Sequence, residues 1–245
     1  MTIETLDMKI GDIVREDFRT ASVFQTYGMD FCCGGGQSLE SACAKSGVDA
    51  AVVARELEAV SARHDGMVPD FKSWKLDVLI EHIVSVHHAY VTRMLPVVLA
   101  HAQKVGSVHG ANHPETIRIA ELFTAVANEL EHHMFKEEQV LFPYIVHMVK
   151  SRTGEVPYGG AHFGTVRNPI RMMEAEHESA GTALAEIRTI SAGLTPPADA
   201  CTTYRVLYQE LDEFERDLHH HIHLENNILH PRAIELEAEL IGATA

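Results

Sequence analysis

The sequence predicts an all-α protein, an antiparallel four-helix bundle preceded by a small helical N-terminal domain. The first observation is a repeat: the stretch at 132–143 recurs at 220–231 in the frame His-His-x-x-x-Glu-x-x-[Val/Ile]-Leu-x-Pro. The second is a set of four long segments with helical apolar periodicity, separated by short breaks that contain Gly and Pro. Long helices with short connections favour antiparallel packing in a bundle.

The chain is predicted to divide into a small helical domain at 1–62, a linker at 63–71 and the bundle at 72–245. The linker is predicted from its polar, Gly- and Pro-containing composition. The predicted helices of the small domain span 10–27, a segment that starts at 38, and 49–63.

The bundle helices are predicted from periodicity and from the residues at their ends. They span 75–105, 114–152, 168–192 and 199–241. Pro114 suits a first helical turn, and Asp199 suits an N-cap. Pro143 and Pro231 occupy the same position in the two repeats, so each is expected to kink its helix at the same height.

Composition limits the classes of function. A formal net charge of -15 argues against a nucleic-acid partner, because such proteins usually present a basic face. No apolar run approaches the roughly 20 residues of a membrane span, and the N-terminus lacks the basic-then-apolar order of a signal peptide. A cytoplasmic protein without a membrane partner is therefore expected. The four cysteines form no disulfide framework and are expected to be reduced thiols.

Each repeat places a His and a Glu on one helical face, because residues four apart lie one turn above each other. The pairs are His133 with Glu137, and His221 with Glu225. An imidazole nitrogen and a carboxylate oxygen stacked in this way form half of a metal site. Two such helices facing each other would form most of one.

Each half of the bundle also carries one histidine upstream of its pair. His88 lies 45 residues before His133, and His177 lies 44 residues before His221. Two such hairpins packed with pseudo-twofold symmetry would bring four imidazoles and two carboxylates to one level. Six N/O ligands exceed the needs of one tetrahedral zinc and suit iron or manganese. If both carboxylates bridge, two metals receive about eight of roughly twelve bonds, an oxo or hydroxo bridge supplies two more, and about one position per metal stays open.

The His-x-x-x-Glu bundle resembles hemerythrin-like di-iron proteins. Further segments narrow the resemblance to the repair-of-iron-centres proteins, which are di-iron proteins induced by nitrosative and oxidative stress. These segments are Asp30-Phe31-Cys32-Cys33-Gly34-Gly35, Glu174-Ala175-Glu176-His177-Glu178, Ala200-Cys201-Thr202-Thr203 and His221-x-x-x-Glu225-Asn226-Asn227. The resemblance covers nearly the whole chain.

The resemblance implies a ligand set for two non-haem irons with four terminal histidines and two bridging glutamates. The set is His88, His133, His177 and His221 with Glu137 and Glu225. It also implies repair of damaged iron–sulfur clusters, by iron donation from a labile di-iron centre, with the damaged proteins as partners. The alternative is binding or reduction of nitric oxide, with nitric oxide or dioxygen as the small ligand. A passive oxygen carrier like hemerythrin is a third possibility, but it would not need the Cys-bearing domain. The sequence is compatible with a monomer and with a homodimer.

Adjacent histidines point about 100° apart, so only one of each pair is expected to face the core. In the repeats we choose the second of each pair, because only it has Glu four residues later. His219 and His223 are expected at the surface, as is Glu138. Glu81 and Glu174 are each expected either to hydrogen-bond a ligand imidazole or to lie on a solvated face.

Cys32 and Cys33 are candidate functional residues, because glycines and Asp30 predict an exposed, flexible loop around them. Exposed thiols can bind metal, react with nitric oxide or pair with a partner's thiol. The alternative is two small, partly buried residues in a turn, since a disulfide between adjacent cysteines would be strained. Cys43 and Cys201 are interpreted as structural.

Overall fold

The computed structural model describes residues 6–62 and 69–244. Eight α-helices account for most of this part of the chain, which confirms the predicted all-α fold. In chain order they are α1 (Ile10–Glu16), α2 (Ala21–Thr26), α3 (Leu39–Ser46), α4 (Ala50–Ser61), α5 (Leu76–His109), α6 (115–152), α7 (Arg167–Ile190) and α8 (202–244). Most of the predicted linker, 63–68, lies outside the described residues.

The small N-terminal unit contains four helices rather than three. The predicted helix over 10–27 is divided at Asp17, whose backbone is extended and whose carboxylate accepts a hydrogen bond of 3.1 Å from the N–H of Arg19. A 3₁₀ turn, Phe18–Thr20, then leads into α2. Because an aspartate side chain can bond the nearby backbone, it competes with helix continuation at this point.

The bundle is formed by α5 to α8. In cross-section α6 packs between α5 and α7, and α8 packs against α5. Two predicted boundaries were wrong. Helix α5 continues through Gly106 to His109, and α8 begins at Thr202 rather than near Asp199. The Asp199 carboxylate instead lies 3.1 Å from Nε2 of His113, across the end of the bundle.

Helix α5 is long and apolar enough to span a membrane by length and composition alone, contrary to the expectation that no segment would be. A third of its most apolar window is buried in the fold. The helix forms one side of the bundle and carries His88 into its centre. Core helices of globular proteins meet the same criterion, so we assign α5 to the bundle.

Three bundle helices contain a π-helical turn at the level of the predicted ligands. These turns are Ile83–His88 in α5, Glu137–Leu141 in α6 and Glu225–Leu229 in α8. Pro143 and Pro231 each follow a π turn by two residues. Each predicted kink position therefore follows a widened turn, which is a feature that accompanies bends in helices. Turns of this type are common at functional sites.

Buried apolar side chains form two clusters, one on each side of this level. The first includes Phe123 and Phe214 in the bundle and continues into the N-terminal unit through Phe24. The second includes Leu79 and Ile145 at the other end of the bundle. The level between them is polar and buried, which is where the sequence predicts the metal ligands.

The N-terminal unit packs directly on α8. The ring of Phe18 stacks on His220 with centroids 3.8 Å apart. The backbone of Gly11 donates a 2.9 Å hydrogen bond to the carbonyl of Gly35, in the loop after the two cysteines. A Cβ atom on Gly11 would lie 2.8 Å from Oδ1 of Asn227 and 3.1 Å from the carbonyl oxygen of Gly35, so glycine at this position favours the close approach of the N-terminal unit to α8.

Replacing Gly35 with Ala is expected to lower the free energy of unfolding by about 1–3 kcal/mol, because the added methyl would overpack a tight contact. Its Cβ would clash with the carbonyl oxygen of Phe31 and lie 3.0 Å from the Cα of Gly11. The matched control is Gly36→Ala, since no atom lies within 4 Å of a Cβ there. Chemical denaturation of both variants measures the difference, and equal stabilities would contradict this packing.

Candidate metal centre

The six predicted ligands meet at one level of the bundle, and each is at most 2% exposed to solvent. All four bundle helices contribute. The residues are His88 from α5, His133 and Glu137 from α6, His177 from α7, and His221 and Glu225 from α8. They form two groups of four ligand atoms, each within 4.8 Å of one another, and the two glutamates belong to both groups.

The first position is defined by His88 and His221, whose Nε2 atoms lie 3.2 Å apart. Oε2 of Glu137 lies 3.4 Å from Nε2 of His88. Oε1 of Glu225 lies 3.1 Å from Nε2 of His221 and 3.9 Å from Nε2 of His88. One oxygen of each carboxylate therefore faces this pair of imidazoles.

The second position is defined by His133 and His177, whose Nε2 atoms lie 3.0 Å apart. Here Oε1 of Glu137 lies 3.3 Å from Nε2 of His133, and Oε2 of Glu225 lies 3.1 Å from Nε2 of His177. Each carboxylate thus directs one oxygen to each position. Carboxylates arranged in this way can bridge two cations, as in dinuclear sites of helical bundles.

Three of the four imidazoles are held from behind through Nδ1. Nδ1 of His88 lies 2.7 Å from Oε1 of Glu138. Nδ1 of His133 lies 2.9 Å from Glu176, and Nδ1 of His177 lies 2.9 Å from Oδ1 of Asn226. An Nδ1 that donates to these oxygens leaves the Nε2 lone pair directed inward, the orientation that a metal ligand needs.

The residues that orient the imidazoles are not Glu81 and Glu174, for which a solvated face was the other expectation. Glu81 is exposed on α5, and Glu174 lies 4.0 Å from His230 rather than against a ligand imidazole. Glu138, expected to face solvent, instead reaches across to α5 while its side chain stays 39% exposed. The repeat itself could have predicted these partners. Glu138 and Asn226 each directly follow the glutamate of their repeat, and each contacts the upstream histidine of its own half.

Two expectations about the neighbouring histidines were wrong. His223 is buried and His219 half-buried, because the N-terminal unit covers this face of α8 with Phe31. His87 is buried beside His88, although only one of the two was expected to face the core. Its Nδ1 lies 3.0 Å from Asp217 of α8, so His87 is buried between α5 and α8.

Charges within the site are strongly coupled. Burial alone would lower the pKa of His88, but Glu137 and Glu225 outweigh burial and raise it to about 10. Burial opposes protonation of His133 too, yet Glu137 raises its pKa to about 9. Burial and Glu225 would raise the pKa of Glu137, whereas His133 and His88 lower it to about 2. Protons on the imidazoles therefore balance the two carboxylates when no metal is bound.

The donor set fits a metal. Among the described residues, neither oxygen of Glu137 has a hydrogen-bond partner, nor does Oε2 of Glu225 or Nδ1 of His221. Buried carboxylate oxygens without partners are costly, and a cation between them removes that cost. Imidazole and carboxylate donors suit iron, manganese or zinc in general, and six donors in two shared groups suit a pair of ions.

Cys32 and Cys33 lie in the loop that covers α8, with their Sγ atoms 3.9 Å apart. Cys32 is buried and Cys33 half-buried, so the expectation that both thiols are exposed was wrong, and the alternative of partly buried residues in a turn describes them better. Asp30 organises the loop, because its carboxylate accepts backbone hydrogen bonds from Cys32, Cys33 and Gly34. A hydrogen bond to Cys33, burial and the charge of Asp30 hold the pKa of Cys32 well above its usual range. Cys32 is thus held as a thiol, which is less reactive than a thiolate.

The other two cysteines differ from each other. Cys43 is buried in the N-terminal unit, in agreement with a structural role. Cys201 is exposed at the start of α8, where its Sγ lies 3.2 Å from Nε2 of His109. All four are free in the described structure, as the absence of a disulfide framework predicts.

The cysteine loop also contacts the metal ligands indirectly. Nδ2 of Asn226 points to the carbonyl oxygen of Cys32 at 3.5 Å, while Oδ1 of the same side chain contacts His177. Asn227 also lies between the loop and a histidine, but it uses one atom for both contacts: its Nδ2 lies 3.5 Å from the carbonyl oxygen of Phe31 and 3.0 Å from Nδ1 of His223. The side-chain amide of Asn226 therefore lies between the cysteine loop and the second metal position.

Comparison with known proteins identifies both parts of the chain. Residues 79–233 match the hemerythrin HHE cation-binding domain, and residues 6–61 match the ScdA_N domain, described as a domain of unknown function. The iron–sulfur cluster repair protein YtfE of Musicola paradisiaca is 37% identical over 95% of this chain and 98% of its own length. The chain belongs to the YtfE family of iron–sulfur cluster repair proteins. The members of the family from Enterobacter sp. and Escherichia coli O157:H7 are 37% and 36% identical, each over 93% of this chain and 97% of its own length.

Metal binding is expected to release about two protons per chain at pH 7. His88 and His133, with pKa values of about 10 and 9, are protonated in the metal-free protein and must become neutral to bind metal. The apparent metal affinity should therefore rise with pH up to about pH 9–10 and fall as the pH is lowered. Because both pKa values are raised, these protons stabilise the metal-free fold fully below about pH 6.5, and that contribution is lost through pH 9–10.

Calorimetry of metal binding at pH 7, in two buffers with different ionisation enthalpies, counts the protons released. Metal uptake without proton release would contradict this charge assignment.

Replacing Glu138 with Ala is expected to weaken metal binding by about 10–100-fold, because Nδ1 of His88 loses the acceptor that orients it. Competition against a chelator measures the change. Glu131→Ala is the matched control, since Glu131 is exposed on the same helix. Equal affinities of the two variants would show that the contact does not orient the imidazole.

Proposed function

We propose that the chain binds two non-haem iron ions in the bundle and takes part in the repair of iron–sulfur clusters damaged by nitrosative or oxidative stress, by donating iron. The proposed terminal ligands are the four histidines of the two positions, and the proposed bridges are Glu137 and Glu225. Bound iron would supply an exchangeable metal ion for rebuilding a cluster. An oxo or hydroxo bridge would complete the centre.

The observation that carries this proposal is the sharing of both carboxylates. Glu137 and Glu225 each direct one oxygen to each pair of imidazoles. A single zinc at one position would use one group of four ligands, so it would leave the two imidazoles of the other position without a metal and one oxygen of each buried carboxylate unpaired. The arrangement therefore favours two cations, and mixed imidazole and carboxylate donors favour iron.

The protein's residues bind and orient the metal. Glu138, Glu176 and Asn226 fix the imidazole orientations, so three ligands are preorganised. The two apolar clusters on either side exclude water from all but the site itself. A preorganised, enclosed site of this kind can hold a metal ion that would otherwise exchange freely with solvent.

Repair is supported by the relatives from Musicola paradisiaca and Escherichia coli O157:H7, which align with almost the whole chain and carry that function in their names. Those names favour repair over the nitric oxide alternative. We assign the bundle to 72–245, the Cys-bearing domain to 1–62 and the linker to 63–71. We further propose that Cys32 and Cys33 engage a damaged iron–sulfur protein, that nitric oxide or dioxygen can bind as a small ligand, and that the protein acts in the cytoplasm as a monomer or homodimer.

Iron-loaded protein is expected to restore activity to an enzyme whose iron–sulfur cluster has been damaged by nitric oxide, beyond the recovery that the same amount of free ferrous iron gives. Glu137→Leu and Glu225→Leu should abolish this gain, because each removes a ligand from both positions. Mössbauer spectroscopy and metal analysis should show two coupled irons in the wild type and their loss in both variants.

The surface variant Glu131→Ala serves as the control and should repair as well as wild type. Recovery no greater than with free iron would refute iron donation. A dinuclear centre retained in both Leu variants would refute the bridging assignment. Formation of nitrous oxide by the reduced protein, without repair, would favour the nitric oxide alternative instead.

A further inference from the structure

The two halves of the duplicated bundle differ beside their upstream histidines. In the first repeat Phe142 lies against His88, with ring centroids 5.7 Å apart. In the second repeat the corresponding residue is His230, which lies parallel to His177 at 6.3 Å. A histidine thus occupies, beside the second position, the place that an apolar ring occupies beside the first.

His230 is fully buried, and neither of its ring nitrogens has a hydrogen-bond partner among the described residues. Leaving two polar atoms of one buried side chain unpaired is costly, and phenylalanine in the same place would avoid the cost. The His230 side chain therefore either lowers the stability of the fold without a compensating role or serves to bind a ligand. Its surroundings distinguish the two.

Nδ1 of His230 lies 4.0 Å from Oε1 of Glu174. Two donors that share one metal ion at about 2.1 Å each lie at most about 4.2 Å apart, so this gap accommodates an ion between them. The side chain of Glu174 is half exposed, and it lines a cavity of about 450 Å³ that also borders Cys32 and Cys33. We call this space the thiol cavity.

Within the described residues, the first half of the bundle has no counterpart of the pair His230 and Glu174. The residue three before His177 is Glu174, whereas the residue three before His88 is Ser85. The thiol loop covers the second half, where Asn226 contacts both the loop and His177. The first position also has an additional buried imidazole beside it, His87, but its Nδ1 lies 3.0 Å from Asp217. His230 has no such partner in the described part of the chain and faces Glu174 at the edge of the thiol cavity.

We propose that His230 and Glu174 form a transit site through which a divalent metal ion passes between the second position and the thiol cavity. The second position is then the exchangeable one, and the first retains its metal. The inference rests on the proposed iron donation and specifies its route. Each step is ligand exchange: a bond from the metal to His177 or Glu225 breaks as one to His230 or Glu174 forms, and the oxidation state does not change.

The test uses the full-length protein loaded anaerobically with two ferrous ions per chain and then mixed with an excess of a colour-forming ferrous chelator. Wild type should release its iron in two phases of equal amplitude. His230→Phe, which installs the ring that the other half carries, should slow the fast phase by about tenfold or more, without changing the slow phase or the iron content. Glu174→Gln should slow the same phase, and it changes only an exposed side chain.

Glu81→Gln, an exposed carboxylate on α5, is the control and should release iron as wild type does. Release in a single phase from wild type overturns the inference. The inference is also overturned if His230→Phe or Glu174→Gln binds two irons and still releases the first at the wild-type rate. Both results leave repair intact, whereas wild-type protein that fails to bind two irons overturns the proposed function as well.

Discussion

Two fully buried carboxylates between two apolar clusters are the constraint on which the rest of the structure depends. Glu137 and Glu225 have no exposure to solvent. The desolvation of each anion costs several kcal/mol unless positive charge and hydrogen bonds compensate it. Protonated His88 and His133 meet this need when the site is metal-free, and cations held by the four imidazoles would meet it when the site is loaded. Water is excluded by packing above and below, which strengthens every interaction in between.

Because the helical hairpin is duplicated, the groups that surround the two carboxylates are nearly symmetric. The N-terminal unit packs on one half only, and this is where the symmetry fails. Each half supplies one upstream histidine and one His-x-x-x-Glu pair. The acceptor behind the upstream histidine is a carboxylate in one half, Glu138, and an amide in the other, Asn226. An amide both donates and accepts, so Asn226 can contact the cysteine loop as well as His177, which a carboxylate cannot do with a backbone carbonyl.

The ligands could be predicted from sequence because their spacing is local and repeated. A His and a Glu four residues apart share a helical face in any α-helix, so His133 and Glu137 needed no knowledge of the packing. Most of the predictions that failed depended on contacts between distant segments. Glu138 bonds a histidine 50 residues away, and His223 is buried by a unit that reaches α8 through the contact between Gly11 and Asn227. The break at Asp17 arises from a side-chain bond that periodicity does not register.

The π-helical turns have a consequence for how this bundle tolerates change in length. A π turn contains one residue more than the α-helical turn it replaces, and one residue rotates the rest of a helix by about 100°. Deleting a residue within 225–229 would restore regular α-helix but turn the remainder of α8 away from the second apolar cluster. The ligands of the metal site and the apolar residues of the second cluster therefore face the bundle interior together only while the π turn is present. Chain length at this level is as constrained as the identity of the ligands.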